Sequence, residues 1–174
     1  YSAATQLGNI NGEYYGVSPL TNGSTGGSAW VYNVLFFNQS ILSAAGYSPE
    51  TMYRLRDSGE WTWSKFEEIA KKVTTGSTYA INDSDLYFYN GLLASNNTAW
   101  VEMQDGVLKF SGGNAKNQEV LNFYTKLVKN KYMKVEPDNQ ISLKDMAEFN
   151  AGKTAFYAHP VWAVQHRLNN TSAF

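Results

Sequence analysis

A chain of 174 residues is long enough for one domain with a real core and hardly long enough for two. Its 43% hydrophobic and 17% charged residues fit a folded domain rather than a disordered chain. The net charge of −1, with acids and bases interspersed, gives neither phosphate backbones nor an anionic lipid surface an electrostatic foothold. The absence of cysteine excludes disulfides, thiolate metal sites and a cysteine nucleophile. No apolar run approaches the roughly 18 residues of a spanning helix, so direct membrane insertion is not expected.

In chain order, Tyr1–Asn11 is polar and lacks the charged start of a signal peptide. Glu13–Ser18 reads as a short strand after an Asn11-Gly12 turn. Thr21–Ser28 is a glycine-rich connector, and Ala29–Phe37 is a β-rich apolar run suited to a strand buried on both faces. Asn38 can cap a helix to Ala45 that stops at Gly46. The stretch from Pro49 to Trp61 reads as a loop with a short helical piece. Thr62 caps a helix over Trp63–Val73, in which Phe66, Ile69, Ala70 and Val73 form one apolar face. Glu67 with Lys71 and Glu68 with Lys72 are i,i+4 pairs on its wet side.

Thr78–Asn82 reads as a strand and Asp85–Ser95 as a helix, with Asp83 or Ser84 near its start. Trp100–Phe110 is a hairpin turning at Asp105-Gly106. The clearest element is a helix from about Asn114 to Asn130, with Val120, Leu121, Tyr124, Leu127 and Val128 as its apolar stripe. Ser142 and Asp145 resemble a capping box for a helix to Asn150 that ends at Gly152. Thr154–Ala158 is a strand, and Pro160 suits the first position of a last helix. Strands alternating with helices place the chain in the α/β class with a mixed sheet flanked by helices. Tyr1 opens just before a strand, and nothing follows the last helix to close the fold. This reads as a single α/β lobe over residues 1–174, excised from a larger protein.

Motifs for chemistry are sparse. The glycine-rich loop Gly23–Ser28 has neither the spacing of a nucleophile elbow nor the lysine of a phosphate-binding loop. The two histidines, His159 and His166, would need carboxylates from elsewhere to hold a metal, and no His-Glu-x-x-His occurs. No metal site and no cofactor is expected. Most acids fall on helices or turns; Asp85 is the exception, because it opens an aromatic cluster. Paired carboxylates for glycoside hydrolysis can be distant in sequence, so they carry no local motif. The 12 Tyr, 9 Phe and 5 Trp admit two readings, an aromatic core or a site that stacks flat apolar faces.

Three stretches carry a resemblance. Phe36–Thr74 (FFNQSILSAAGYSPETMYRLRDSGEWTWSKFEEIAKKVT), the helix ending in Leu127–Met133 (LVKNKYM), and Asp145–Trp162 (DMAEFNAGKTAFYAHPVW) are similar, in order and spacing, to bacterial extracellular solute-binding proteins, family 1, the sugar-binding group. Phe37-Asn38 stands where that family has Tyr-Asn. The resemblance implies a type II periplasmic-binding-protein-like lobe, one of two that close on a carbohydrate for delivery to the permease subunits of an ABC importer, with no catalysis. It implies an extracytoplasmic location, as a periplasmic protein or a cell-surface lipoprotein. It also implies site residues. Trp162 matches the tryptophan that stacks on a sugar ring, and Asp85-Leu86-Tyr87-Phe88 matches Glu-x-Tyr-Phe lining the cleft, with Asp85 shorter than glutamate. His159 departs from the smaller residue common there and adds a polar contact or fills space. Trp30 is a further candidate platform without a family match. The alternatives are a glycoside-processing enzyme domain and a cell-surface adhesion module.

Overall fold

The computed structural model describes side chains for residues 34–83, 86–135 and 144–160, and the backbone alone of a short antiparallel pair, β1 (Asn9–Ile10) and β2 (Glu13–Tyr14). Trp30, Asp85, Ser142 and Trp162, and the expected last helix, lie outside the described residues.

Among the described residues, the centre is a four-stranded mixed sheet. Its strands are β3 (Val34–Phe37), β4 (Tyr79–Asn82), β7 (Met133–Lys134) and β8 (Thr154–His159), in the order β3-β8-β4-β7. β8 runs antiparallel to β3 and parallel to β4, and β4 runs parallel to β7. All six residues of β8 are buried, as the middle strand of a covered sheet requires. β3, although wholly apolar, is only half-buried.

The helices follow from their caps. Asn38 accepts the Ile41 N–H at 3.1 Å and starts α1 (Gln39–Ala44), and Gly46, at φ +89°, takes the left-handed turn that ends it. The stretch from Pro49, read as mostly loop, is a nine-residue helix, α2 (Pro49–Asp57). Ser48 caps it, Pro49 stands in its first turn, and Met52 and Leu55 give it a buried side. Thr62 starts α3 (Trp63–Val73), whose Phe66, Ile69, Ala70 and Val73 all enter the core. Of the two ion pairs expected on α3, Lys72 meets Glu68 at 3.7 Å, whereas Glu67 pairs across helices with Lys126 at 2.7 Å.

The helix after β4 is α4 (Tyr87–Ser95), two residues shorter at its start than the sequence reading. The hairpin β5 (Val101–Gln104) and β6 (Val107–Phe110) turns at Asp105 and Gly106, both at positive φ, as a tight hairpin demands. The buried Asn117 amide anchors its base, donating to Ala99 O at 3.0 Å and Ser111 O at 2.9 Å. Asn117 belongs to α5 (Ala115–Lys129), where the expected stripe is corrected. Val120, Tyr124 and Leu127 are buried, but Leu121 and Val128 are 44% and 36% exposed. The covered face of α5 follows Asn117, Val120, Tyr124 and Leu127, a narrower strip than the apolar residues suggest.

The main core fills the side of the sheet on which α3 and α4 pack; Phe66 meets Phe156 at 5.2 Å and Phe88 at 4.9 Å between ring centres. A smaller cluster of Phe149 and Tyr157 joins α6 (Lys144–Asn150) to β8. Removing a ring such as Phe156 from this packing costs about 3–5 kcal/mol. Among the described residues, no helix is long and apolar enough to cross a membrane.

Candidate functional site

The parallel strands β4, β7 and β8 end at one edge of the sheet, with Asn82, Lys134 and His159 as their last residues. β3 starts at the same edge, because Val34 pairs with His159. Open α/β sheets bind ligands outside the carboxyl ends of their strands.

The chain leaves β4 at Asp83, which is buried, and returns as α4. Both carboxylate oxygens of Asp83 cap that helix: Oδ1 accepts the Phe88 N–H at 3.0 Å and Oδ2 accepts the Tyr89 N–H at 3.1 Å. A carboxylate also suits the positive end of the helix dipole. Leu86, the residue before α4, sits at φ +59° and supplies no side-chain bond, so the cap comes from three residues further back. This arrangement delivers Tyr87 to the edge. Its ring lies 4.6 Å from that of His159, tilted by 54°. His159 in turn stacks on Tyr157 at 5.2 Å, and Tyr157 on Phe149 at 5.4 Å. The four rings run from α6 to the sheet edge. His159 is 3% exposed and Nδ1 lies 3.4 Å from Pro160 O, so its ring backs Tyr87 rather than facing outward.

A cleft of about 190 Å³ opens beside Tyr87, lined among others by Val34, Trp61, Trp63, Phe88 and Ser95. Phe88, 7% exposed, forms part of its floor. Trp63 is held rigidly: Nε1–H donates to Ser95 Oγ at 2.9 Å, and the ring stacks on Phe123 at 5.0 Å. Trp61 stands edge-on to Phe66, at 6.2 Å and 86°. The sequence reading missed Trp61 and Trp63 as site residues. Their signal was the Trp-Thr-Trp run around the α3 cap, since α3 packs on β4 and enters it from the far end, putting its first turn at the carboxyl edge. Two hydroxyls of the cleft have partners: Thr62 Oγ1 accepts from Lys65 N–H, and Ser95 Oγ accepts from Trp63 Nε1–H and donates to Leu92 O. The cleft therefore offers chiefly ring faces, a surface for a ligand with flat apolar faces.

The polar side of the edge is built by Glu148. Its carboxylate accepts from Asn82 Nδ2 at 2.8 Å and from Lys134 Nζ at 2.6 Å, joining the ends of β4 and β7 to α6. Against the Tyr89 ring, burial pushes the Tyr124 phenol far above its ordinary range, and the neighbouring Asp83 carboxylate adds to the shift. Burial also raises the Tyr89 phenol. Among the described residues, no three acidic or histidine side chains gather where a metal ion could bind.

No protein-family model matches the chain, and no curated protein sequence does. Solved structures match it well. The GacH receptor of Streptomyces glaucescens, solved unliganded and in complex with acarbose, aligns over 98% of this chain at 17% identity and a TM-score of 0.62. The sugar-binding protein MalE of Xanthomonas citri aligns over 93% at 21% identity and a TM-score of 0.56. The ABC transporter associated binding protein of B. animalis subsp. lactis Bl-04, in complex with beta-1,6-galactobiose, aligns over 81% at 19% identity and a TM-score of 0.61. This chain spans 40%, 37% and 34% of those three structures. The fold is thus the type II periplasmic-binding-protein-like α/β fold that the sequence led us to expect.

Proposed function

We propose that this chain is one lobe of a two-lobed protein that captures a carbohydrate outside the cytoplasm and hands it to the permease subunits of an ABC importer, without chemistry. The observation that carries the reading is the aromatic cleft beside Tyr87 at the carboxyl edge of the sheet, in a fold shared with proteins solved with bound sugars. Sugar rings present C–H faces that stack on aromatic planes, and hydroxyls that seek amides and carboxylates. On this reading Tyr87 is the platform, Phe88 supports it, and His159 fixes its tilt. Trp162, Asp85 and Trp30 would join from segments flanking the described residues, Trp162 as a second stacking face and Asp85 as a hydroxyl acceptor. Ligand contacting both lobes would favour the closed form, because only that form makes both sets of contacts. The protein would be periplasmic or, with a lipid anchor, held at the cell surface.

The test is tryptophan fluorescence of the full-length protein titrated with mono- and oligosaccharides, beside Trp162→Ala and Tyr87→Ala variants. A saturable change with one sugar class, weakened in both variants, is the expected outcome. Silence towards every sugar would remove the carbohydrate reading. Turnover of an aryl glycoside, lost in Asp85→Asn, would replace it with a glycoside-processing enzyme.

A further inference from the structure

The hairpin of β5 and β6 carries its polarity the wrong way round. Its register pairs Val101 with Phe110, Met103 with Leu108, and Glu102 with Lys109. Directly opposed residues share a face and successive residues alternate, so Val101, Met103, Leu108 and Phe110 project together from one face. All four are exposed, Phe110 most of all at 75%. The opposite face turns inward: Glu102 is the least exposed residue of the two strands and accepts from the buried Thr98 hydroxyl at 3.0 Å. An antiparallel sheet with one covered face normally covers its apolar side, because apolar burial drives folding. Here the apolar side is the exposed one.

Phe110 is also fixed in place. Its ring lies nearly parallel to that of Trp100, at 6.3 Å and 8°, and Trp100 lies nearly parallel to Tyr89, at 5.3 Å and 11°. Tyr89 is buried and meets Tyr124 edge-on, so the rings run from the core to the surface. Gly112 seats the outermost ring: a β-carbon there would stand 2.3 Å from Phe110 Cζ, closer than real contacts come. A ring held by stacking and by a bare glycine keeps one orientation, so a ligand meets it with little ordering still to be done. The rim is polar and balanced in charge. Gln118, whose Nε2 donates to Gly112 O at 3.3 Å, places an amide beside the ring, and Lys109 lies 4.0 Å from Asp105.

Size and chemistry select the occupant of this face. Four side chains and the edge of Trp100 amount to roughly a few hundred Å², whereas each partner in a stable protein interface buries about 800 Å². The face is thus too small to seat a second copy or a protein partner stably. Asp105, almost wholly exposed at the hairpin tip, disfavours an anionic lipid surface. A sugar ring suits it: its flat C–H face matches an aromatic plane, and its hydroxyls match an amide. We infer that the outer face of the hairpin is a second carbohydrate site. Phe110 stacks on one pyranose of a neutral, equatorially linked glycan, Met103 and Leu108 flank that ring, and Gln118 bonds a hydroxyl. None of these residues lines the cleft beside Tyr87, and the site does not depend on what that cleft binds.

The test is methyl NMR of the full-length protein, labelled in its methionine methyl groups and titrated with the β-1,4-linked glucose hexamer. Met103 is the methionine of the hairpin face, and its resonance is assigned by its loss in Met103→Leu. That resonance should shift saturably, and equally in Tyr87→Ala. Phe110→Ala should weaken the affinity it reports about tenfold, and Gly112→Ala, which keeps every ring but unseats Phe110, should weaken it too. No shift up to about 20 mM sugar would overturn the inference. A shift that Phe110→Ala leaves unchanged, or that Tyr87→Ala abolishes, would also overturn it. So would a Met103 resonance that moves with protein concentration in the absence of sugar, which would give the face to a second copy. A silent cleft with the Met103 shift intact would support the hairpin site and remove only the cleft reading, so the two failures are separable.

Discussion

The Tyr87 ring rests 4.6 Å from the His159 ring, which joins the start of α4 to the end of the central strand. Two residues 72 positions apart in the chain thereby become one surface. Tyr87→Ala in the full-length protein should weaken sugar affinity about tenfold, the order of one lost stacking contact. Tyr87→Phe, which keeps the ring, should restore most of it. Calorimetric titration distinguishes these, and an unchanged affinity in the alanine variant would take Tyr87 out of the site.

Asp83 makes the second prediction. Asp83→Ala leaves the Phe88 and Tyr89 N–H groups without their acceptor and should cost about 2 kcal/mol in urea unfolding. Asp83→Asn retains one acceptor oxygen and should lose less. A cost below about 0.5 kcal/mol in the alanine variant would mean that water caps α4 equally well.

The third prediction sets two leucines of α5 against each other. Leu127 is fully buried and Leu121 is largely open. Leu127→Ala should destabilise by about 2–5 kcal/mol, through lost burial and the cavity left behind. Leu121→Ala should stay within about 0.5 kcal/mol. Equal costs would mean that the covered face of the helix has been misassigned.

Tyr124 predicts how stability falls in alkali. Its folded phenol titrates well above the unfolded value of about 10, because burial and then the Asp83 charge disfavour the phenolate. The unfolded chain therefore releases this proton first as pH rises. The stabilisation is whole below pH 10 and is lost above it, towards the folded pKa. Tyr124→Phe should flatten the loss of stability between about pH 10 and 11.5, followed by denaturant unfolding. The phenol lies beside the Asp83 carboxylate, so the stability of the variant at pH 7 is measured alongside the alkaline slope. An unchanged alkaline slope would show that other groups dominate.

The aromatic platform was only partly legible in the sequence. Tyr87 and Phe88 were visible as a cluster behind an acid, and Asp83 was one of two residues expected near the helix start; that it caps α4 with both oxygens depends on a left-handed Leu86 bending the chain back. Trp61 and Trp63 read as residues flanking a helix cap. They become walls of a cleft only because α3 packs with its first turn at the carboxyl edge. His159 read as a candidate contact, whereas the neighbouring Tyr157 and Tyr87 rings cover it.

By itself the sequence determined what local rules control. Caps at Asn38 and Thr62 follow from side chains that reach their own backbone within three residues. The Asp105-Gly106 turn follows from the positive φ a tight hairpin needs, and the buried face of α3 from a 3.6-residue period. Tertiary structure alone decided the order β3-β8-β4-β7, the partner of Glu67, the exposure of Leu121, and the meeting of Tyr87 with His159. Each of these depends on which distant segments share a sheet or a face. That choice is made by the summed burial of the whole chain, which no short window of residues contains.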